Sequence, residues 1–302
     1  QPRRLIIFSR DELKQSEMNA EFNSQEHRPL RYFIGDVRDA SRLRMAMREV
    51  DYVIHAAALK QVPIAEYNPF ECIHTNVIGA ENVVQAALSE GVKKVIALSS
   101  DKAVSPINLY GASKLAADKI FVAANNLSGS IKTRFSVVRY GNVVGSRGSV
   151  IPLFLRLLKE GVDSLPVTDE RMTRFWITLP QGVAFVLSCL NLMEGGEIFV
   201  PKIPSMKITD LAEALAPDLP HRVVGIRPGE KLHESLITKD DARNTLELED
   251  RYVIEPSFTF WSRNAYAGNG AKEISEDFSY SSDNNSQWLD AEDLKRFLGE
   301  SF

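Results

Sequence analysis

The sequence predicts an α/β protein with a doubly wound parallel sheet and a smaller α+β lobe. Two patterns lead to this fold class. Over roughly the first 200 residues, short apolar runs alternate with longer stretches that repeat apolar residues at helical spacing. The short runs are apolar at successive positions, which is typical of parallel strands that helices cover on both faces.

Five apolar runs are expected to form the parallel sheet, and the clearest helix lies between the third and the fourth. The strands are expected at residues 5–8, 31–37, 51–58, 94–99 and 135–139. In the helix, at 76–90, Val77, Ala80, Val84 and Ala87 recur at helical spacing. After Gly145 this alternation changes, and a second lobe is expected to begin there.

The second part of the chain is expected to mix helices with fewer strands. Helices are expected at 149–161, 181–193, 210–216 and 288–298, and a strand at 197–200. Thr209 can cap the third helix, because its hydroxyl can accept a hydrogen bond from a free amide. The segment 262–286 is rich in Asn, Ser, Gly and Asp and is expected to be irregular. The two units are therefore 1–145 with 181–204, and 146–180 with 205–302.

Composition argues against several classes of protein. The chain has 302 residues, a net charge of −4 and 25% charged residues, so no basic surface for nucleic acid or an anionic membrane is expected. No apolar run reaches the length of a transmembrane helix. Cys72 and Cys189 stand far apart without a histidine at metal spacing. They predict buried, reduced thiols of a cytoplasmic protein and no metal site.

The strongest chemical signal combines a helix with the end of the strand before it. Tyr110 and Lys114 lie four residues apart and share one helix face. The lysine ammonium would lower the pKa of the phenol, and so favour a phenolate that can act as a base. The strand at 94–99 leads into Asp101 and Lys102, at the sheet edge where ligands bind in such folds. A chance Tyr–Lys spacing and a solvated charged loop are the alternatives.

These residues, with several other segments, resemble the extended short-chain dehydrogenase/reductases. The segments are Ser-Asp-Lys at 100–102, Tyr-Gly-Ala-Ser-Lys at 110–114, Arg-Tyr-Gly-Asn-Val-Val-Gly at 139–145 and Arg-Pro-Gly-Glu-Lys-Leu-His-Glu at 227–234. Within that family, the Asp101–Lys102 pair resembles the inverting UDP-N-acetylglucosamine 4,6-dehydratases, which open the pseudaminic acid pathway. The resemblance covers essentially the whole chain and implies a Rossmann-type sheet with a substrate-binding lobe.

The resemblance also implies a catalytic role for each residue of this group. Oxidation of the sugar at C4 makes the C5 proton removable, and water can then be eliminated across C5 and C6. Tyr110 would be the base for the C4 hydroxyl, supported by Lys114. Asp101 would protonate the departing C6 hydroxyl, and Lys102 would need a lowered pKa to remove the C5 proton. A close Asp–Lys pair opposes both roles. Ser100 would bond the C4 oxygen or only cap the strand end.

The implied cofactor is NADP. The residues expected to hold it are Ser9, Arg10, Asp36, Val37, Ala56, Ala57, Ala58, Tyr110 and Lys114. Arg10 follows the strand where the ribose 2′ position is read, and an arginine there suits a 2′-phosphate. Asp36 and Val37 would meet the adenine, and the three alanines would form a floor near the pyrophosphate and nicotinamide ribose. Arg10 as a plain surface charge, and the alanines as tight packing, are the alternatives.

The implied substrate is UDP-N-acetylglucosamine. The residues expected to bind it are Lys60, Asn142, Arg147, Thr173, Arg174, Arg227 and Glu230. Arginine forks match the oxygens of a diphosphate, and Glu230 resembles a residue that binds the uridine ribose. Arg147 and Arg174 could instead form surface salt bridges. His55 and His233 are expected to be packed or hydrogen-bonded rather than ligands.

The chain departs from the family pattern at its start. The family begins with a strand and a glycine-rich turn, whereas the run at 5–8 corresponds to the second strand of the fold. One strand–helix unit of about 30 residues is therefore expected to be missing. Its absence would leave a gap in the sheet and weaken NADP binding.

Other functions remain open at this point. A UDP-N-acetylhexosamine 4-epimerase and a retaining 4,6-dehydratase are the enzymatic alternatives, and a non-catalytic nucleotide-binding regulator is the alternative from another class. A homo-oligomer is expected, with the helices at 76–90 and 108–123 as contact surfaces.

Overall fold

The computed structural model describes residues 2–129, 132–257 and 266–301. The strands are β1 (Leu5–Ser9), β2 (Leu30–Ile34), β3 (Tyr52–His55), β4 (Lys94–Ser100), β5 (Arg134–Tyr140), β6 (Asn142–Val143), β7 (Leu165–Val167), β8 (Thr173–Ile177), β9 (Ile198–Pro201), β10 (Ser205–Lys207), β11 (His221–Val223), β12 (Ser235–Ile237), β13 (Thr245–Glu247), β14 (Arg251–Ile254), β15 (Lys272–Glu273) and β16 (Tyr280–Ser281). The helices are α1 (Glu12–Glu21), α2 (Ala40–Met47), α3 (Val62–Tyr67), α4 (Pro69–Ile73), α5 (Gly79–Glu90), α6 (Leu109–Ala123), α7 (Val150–Glu160), α8 (Leu179–Leu192), α9 (Ile208–Leu215), α10 (Lys239–Ala242) and α11 (Ala291–Ser301).

The main sheet has seven strands in the order β15-β13-β14-β9-β5-β4-β3. The four strands β3, β4, β5 and β9 are parallel, which confirms the predicted α/β class. Strands β14, β13 and β15 extend this sheet in antiparallel fashion. The sequence predicts these residues in the second lobe, but the hydrogen bonds of the three strands are to the main sheet.

Strands β1 and β2 form a separate parallel pair. Within the described residues, no ladder joins this pair to β3, so the expected interruption of the sheet lies between β1 and β3. The side chains of Leu5, Ile34, Tyr52 and Ile54 on these strands are exposed.

Helices cover both faces of the main sheet, and β4 shows why its apolar run is continuous. Val95 belongs to the core beneath α2, α5 and α6, whereas its neighbour Ile96 belongs to the core beneath α8. Successive side chains of a strand point to opposite faces, so a strand covered on both sides is apolar at every position. Cys72 and Cys189 are buried free thiols, as expected.

The second lobe has its own apolar core and three small sheets. Strands β10, β8 and β6 form one sheet, β11 pairs with β7, and β12 pairs with β16. Phe154 of α7, Leu165 of β7, Trp176 of β8 and Leu211 of α9 are fully buried in this core. The predicted helices at 149–161 and 181–193 are confirmed as α7 and α8, and Thr178 caps α8 through a capping box.

One local prediction for this lobe, the cap of α9, is wrong, and two others are confirmed only in part. Helix α9 begins at Ile208 without a side-chain cap, and the Thr209 hydroxyl donates to Asp210 instead. Part of the segment 262–286 lies outside the described residues, and the remainder contains β15 and β16 rather than irregular chain alone. The last helix starts at Ala291, because Trp288 instead forms a β-bridge with Ser205.

No helix in the described part of the chain is long and apolar enough to span a bilayer. The same residues contain no cluster of side chains suited to a metal ion.

Candidate active site

A cleft of about 800 Å³ lies between the main sheet and the second lobe. One wall comes from the segments that follow β3, β4 and β5, and it contains Ala56, Lys102 and Asn142. The opposite wall comes from the second lobe, with Arg174 and Glu230 among its residues. The carboxyl ends of parallel strands are where ligands bind in open α/β sheets, so this cleft is the candidate active site.

The end of β4 fixes two of the predicted catalytic residues. The chain leaves the strand in a single 3₁₀ turn, Asp101–Ala103, whose N-cap is Ser100. The Ser100 hydroxyl accepts a hydrogen bond from the Lys102 amide (3.2 Å) and donates to Asp101 Oδ1 (2.7 Å). Asp101 is fully buried, and its Oδ1 lies 3.1 Å from Lys102 Nζ. The predicted pair therefore exists as a contact ion pair, with the lysine on the cleft side.

Helix α6 carries Tyr110 and Lys114 against this turn. Asn108 caps the helix by accepting from the Gly111 amide (2.7 Å), and its side-chain amide donates to the Gly229 carbonyl of the second lobe (2.7 Å). A Cβ on Gly111 would lie 2.2 Å from the carbonyl oxygen of Lys102. The glycine thus lets the first turn of α6 pack directly on the 3₁₀ turn Asp101–Ala103, the acid–base turn. Tyr110 and Lys114 are buried and both border the cleft, as predicted.

The charge that acts on the Tyr110 phenol differs from the prediction. Burial raises the pKa of Tyr110 to about 12, while the nearby Lys102 ammonium and a hydrogen bond with Ser100 act to lower it. The Lys114 ammonium donates a hydrogen bond to the Leu98 carbonyl (2.6 Å), and burial lowers the pKa of Lys114. The expectation that Lys114 activates the phenol is therefore corrected, because Lys102 is the cation with the larger effect.

Lys102 is held in its charged form. Burial alone would lower its pKa, but the carboxylates of Asp101 and Glu234 outweigh this effect and raise the pKa above its ordinary value. Its Nζ lies 3.5 Å from Glu234 Oε1 and 3.4 Å from Asn142 Oδ1. The lowered pKa that a base at C5 needs is thus absent from the resting site. The contact of Asp101 with Lys102 opposes the role of Lys102 as a base, as expected.

Glu234 also belongs to this site, although the sequence does not single it out. It is 2% exposed and lines the cleft just before β12. Glu234 is the last residue of the segment 227–234, which resembles the family, and this position was the one signal in the sequence that could have pointed to it. Its contact with Lys102 spans 132 positions of sequence, so no local pattern could reveal it.

The segment after β3 reaches the cleft, as predicted. Ala56 and Ala58 line it and present only methyl groups, whereas Ala57 is exposed outside it. Asn76, in a π-helical turn before α5, holds this segment by accepting from the Leu59 amide (2.8 Å) and donating to the Leu59 carbonyl (2.9 Å). Lys60 also lines the cleft, and partial burial together with repulsion from Lys102 lowers its pKa.

The residues expected near the adenosine end lie outside this cleft. The Ser9 hydroxyl accepts from the Asp11 amide (3.0 Å), and the exposed Arg10 lies 3.5 Å from Asp36. The hydrogen-bonded Arg38 guanidinium holds the pKa of the Asp36 carboxyl below its usual range. Val37 is buried in the core beside α5. Its side chain packs in this core, and its expected contact with an adenine stays a prediction.

Most of the residues expected to bind substrate border the cleft. These are Lys60, Asn142, Arg147, Arg174, Arg227 and Glu230. Arg174 is 7% exposed and donates to the backbone carbonyls of Thr173, Lys231 and Leu232, so it is not a surface salt bridge. Arg147 is exposed, and Arg227 forms an ion pair with Glu230 (3.7 Å).

Thr173 is not part of the cleft surface. It is 3% exposed, and its hydroxyl bonds to His233 Nδ1 (2.9 Å) and to the Ser282 hydroxyl (2.6 Å). The expected substrate contact of Thr173 is therefore corrected to a packing role, and His233 is hydrogen-bonded as predicted. His55 packs on Phe121, and burial lowers its pKa to about 3.

Comparisons with known proteins agree on one family. A family model described as polysaccharide biosynthesis protein matches residues 1–256. A Campylobacter jejuni protein named UDP-N-acetylglucosamine 4,6-dehydratase (inverting) is 60% identical, over 99% of this chain and 90% of that protein. A Rickettsia massiliae protein named UDP-glucose 4-epimerase is 43% identical, over 97% of this chain and 85% of that protein.

Solved structures resemble the whole chain. The X-ray structure of Pen from Bacillus thuringiensis matches with a TM-score of 0.88 and 38% identity, over 99% of this chain and 90% of that one. The dTDP-glucose 4,6-dehydratase DesIV from Streptomyces venezuelae matches with a TM-score of 0.67 over 91% of this chain and 84% of that one. At 20% identity, this second match shows the shared fold alone.

Proposed function

The chain belongs to the polysaccharide biosynthesis protein family, and we propose that it is a UDP-N-acetylglucosamine 4,6-dehydratase that inverts C5. The observation that carries this proposal is the ion pair of the buried Asp101 with Lys102, which borders the cleft together with Tyr110. Oxidation and reduction at C4 alone require no acid–base pair for C5 and C6, whereas elimination of water requires both. The 60% identity to the Campylobacter jejuni relative supports the same reaction, and a product that enters the pseudaminic acid pathway is consistent with it.

The residues present suit the nicotinamide half of NADP. Tyr110 and Lys114 border the cleft together with Ala56 and Ala58, whose methyl groups leave room for a ring and a ribose. When bound, the cofactor supplies an acceptor for the C4 hydride and returns that hydride to C6. The exposed Arg10 is the residue that would meet a 2′-phosphate.

The first role of this chain's own residues is to move a proton at C4. Tyr110 takes the proton of the C4 hydroxyl as the ketone forms, and the Ser100 hydroxyl and the Lys102 ammonium favour its phenolate. The ketone makes the C5 proton acidic. Asp101 then protonates the C6 hydroxyl as it leaves, and Lys102 removes the C5 proton. Return of a proton to the opposite face of C5 gives the inverted product.

The nucleotide end of the substrate is assigned to the second lobe. Arg147 and Arg227 are exposed at the cleft and offer guanidinium forks for the diphosphate. Glu230 Oε2 is buried and has no hydrogen-bond partner among the described residues. A hydrogen bond donated by a ribose hydroxyl would satisfy this oxygen, which supports the expected role of Glu230.

A 4-epimerase acting on UDP-N-acetylhexosamine is the second candidate. The observation that favours it is the 43% identity to a relative named UDP-glucose 4-epimerase over nearly all of this chain. Such an enzyme shares the chemistry at C4 and leaves C5 and C6 unchanged, so the products distinguish the two candidates.

The test is to incubate the protein with UDP-N-acetylglucosamine and NADP in deuterated water and to follow the product by NMR. An inverting dehydratase gives a 4-keto-6-deoxy sugar with inverted C5 that carries deuterium. A retaining dehydratase keeps the C5 configuration, and an epimerase gives a C4 epimer with no deuterium at C5. The Lys102→Ala variant should give no dehydrated product. Absence of any 4-keto-6-deoxy sugar from the wild type would contradict the proposal.

Assembly into a homo-oligomer in the cytoplasm is a further part of this proposal. Ile64, Tyr67, Phe70 and Ile78 expose large apolar side chains on α3, α4 and the turn before α5. Light scattering after gel filtration tests it, and a monomer at all concentrations would contradict it.

A further inference from the structure

Glu234 is anchored through its backbone before its side chain enters the cleft. Its amide donates to the Ser282 hydroxyl (3.0 Å), and its carbonyl accepts from the Ser282 amide (2.8 Å). The Ser282 hydroxyl also contacts the Thr173 hydroxyl (2.6 Å). These bonds tie together three segments of the second lobe and fix the backbone from which the Glu234 side chain enters the cleft.

The Glu234 side chain stands between two lysines. Oε1 lies 3.5 Å from Lys102 Nζ, and Oε2 lies 3.6 Å from Lys231 Nζ. Oε2 is buried and has no hydrogen-bond partner among the described residues. Lys231 also donates to the carbonyl of Val104, just beyond the acid–base turn. The two lysine ammonium groups therefore face the Glu234 carboxylate from both sides.

The proposed elimination needs one proton to move within the Asp101–Lys102 pair. Lys102 gives its proton to Asp101 Oδ1, 3.1 Å away, and this single transfer creates both the acid for C6 and the amine for C5. As the C5–H and C6–O bonds break, the amine takes the C5 proton and Asp101 gives its proton to the leaving hydroxyl. A C5=C6 double bond and one water form, and the pair returns to ammonium and carboxylate.

Asp101 is neutral while it carries that proton, so it cannot then offset the charge that forms on Lys102. Glu234 is the other carboxylate within 4.0 Å of Lys102 Nζ in the described part of the chain. We propose that Glu234 is a positioning residue for C5 deprotonation, which holds the Lys102 amine in place and stabilises the positive charge developing on it. This inference rests on the proposed dehydratase function and adds a third member to its acid–base group.

The test compares Glu234→Gln with the wild type, using substrates that carry deuterium at C4 or at C5. The variant keeps the size of the side chain and loses its charge. We expect kcat to fall about 10–100-fold with KM within about twofold, because the missing interaction forms only in the transition state. In the variant, deuterium at C5 should slow turnover and deuterium at C4 should not, since C5 deprotonation becomes the slowest step.

Two further variants separate this role from a general loss of structure. Glu230→Gln changes a carboxylate of the same segment that is assigned to the ribose, and it should raise KM without making C5 deprotonation the slowest step. Glu234→Asp keeps the charge and should restore part of kcat. If Glu234→Gln does not fold, the kcat of Glu234→Asp tests the role of the charge in its place. A kcat of Glu234→Gln near the wild-type value, or a slowing sensitive to C4 deuterium, would overturn the inference. Failure of the wild type to dehydrate the sugar would instead overturn the proposed function.

Discussion

Ser100 connects the acid of the proposed site to its phenol, and its hydroxyl gives a pH-dependent prediction. Burial raises the pKa of Tyr110 to about 12, and the hydrogen bond with Ser100 acts against this rise. Ser100→Ala should therefore raise the pKa further. Less phenolate is then present at each pH below it, so kcat/KM should fall roughly tenfold near neutral pH and recover only at higher pH.

The measurement is a profile of kcat/KM from neutral to alkaline pH. Ser100→Thr is the matched control, because it keeps the hydroxyl and should keep the wild-type profile. If Ser100→Ala lowered kcat/KM by the same factor at every pH, the hydroxyl would act by placing Asp101 rather than by tuning the phenol.

Single residues of the site were predictable where one local pattern contains them. Asp101 and Lys102 follow the end of a strand, and Tyr110 and Lys114 share a helix face, so local sequence alone brings each pair together. Glu234 reaches Lys102 only because the second lobe closes over the end of β4. The electrostatics were predictable only in part, because burial and a second carboxylate decide the charge of Lys102.

At the scale of elements, the contact of α6 with the turn after β4 depends on Gly111. A Cβ there would lie 2.2 Å from the Lys102 carbonyl oxygen and 3.0 Å from the Pro106 ring. Gly111→Ala should push the start of α6 away from the turn that carries Lys102. We expect a loss of about 1–3 kcal/mol in the free energy of unfolding. We also expect kcat to fall by more than this loss of stability alone would explain.

Gly182 in α8 is the matched control for this prediction. Its nearest contact would be an ordinary one, 3.9 Å from the Ile177 side chain. Gly182→Ala should leave kcat unchanged and stabilise the protein by about 0.5–1 kcal/mol, since alanine favours a helix. Thermal unfolding and steady-state kinetics of both variants check this. Equal effects of the two substitutions would contradict the role assigned to Gly111.

Elements were predictable where apolar runs or caps mark them, and not where pairing alone defines them. The continuous run of β4 and the amphipathic pattern of α7 each identify one structure. Strand β13 is three residues long, and its pattern is too short to distinguish it from a turn. It is a strand because β14 lies beside it and continues the main sheet. Such a strand can be recognised only from the topology.

At the scale of the whole molecule, the β1–β2 pair is buried less completely than the main sheet. No residue of β1 is fully buried, whereas Val95 and Ile96 of β4 are completely enclosed. Within the described residues, the β1–β2 pair shares no ladder with the main sheet. We expect the backbone amides of β1 and β2 to exchange with deuterium through local opening, and those of β4 and β5 only near global unfolding. Hydrogen exchange followed by mass spectrometry measures this, and equal protection of both sheets would contradict it.

Charge is also distributed unevenly over the whole molecule, and this gives a prediction about the substrate. The chain carries a net charge of −4. In the described part of the chain, however, the cleft is bordered by seven lysines and arginines and by two glutamates. A concave surface with this excess of cations attracts a diphosphate, and salt screens the exposed part of that attraction. Raising the salt concentration to about 0.5 M should therefore lower kcat/KM for the nucleotide sugar and leave kcat almost unchanged.

UDP should inhibit more strongly than UMP, and UMP more strongly than uridine, with differences that shrink as salt is added. Arg147, Arg156 and Arg227 are the exposed guanidiniums of the set, so their replacement by glutamine should reduce the salt dependence most. An inhibition constant for UDP that does not change with salt would show that the diphosphate binds elsewhere.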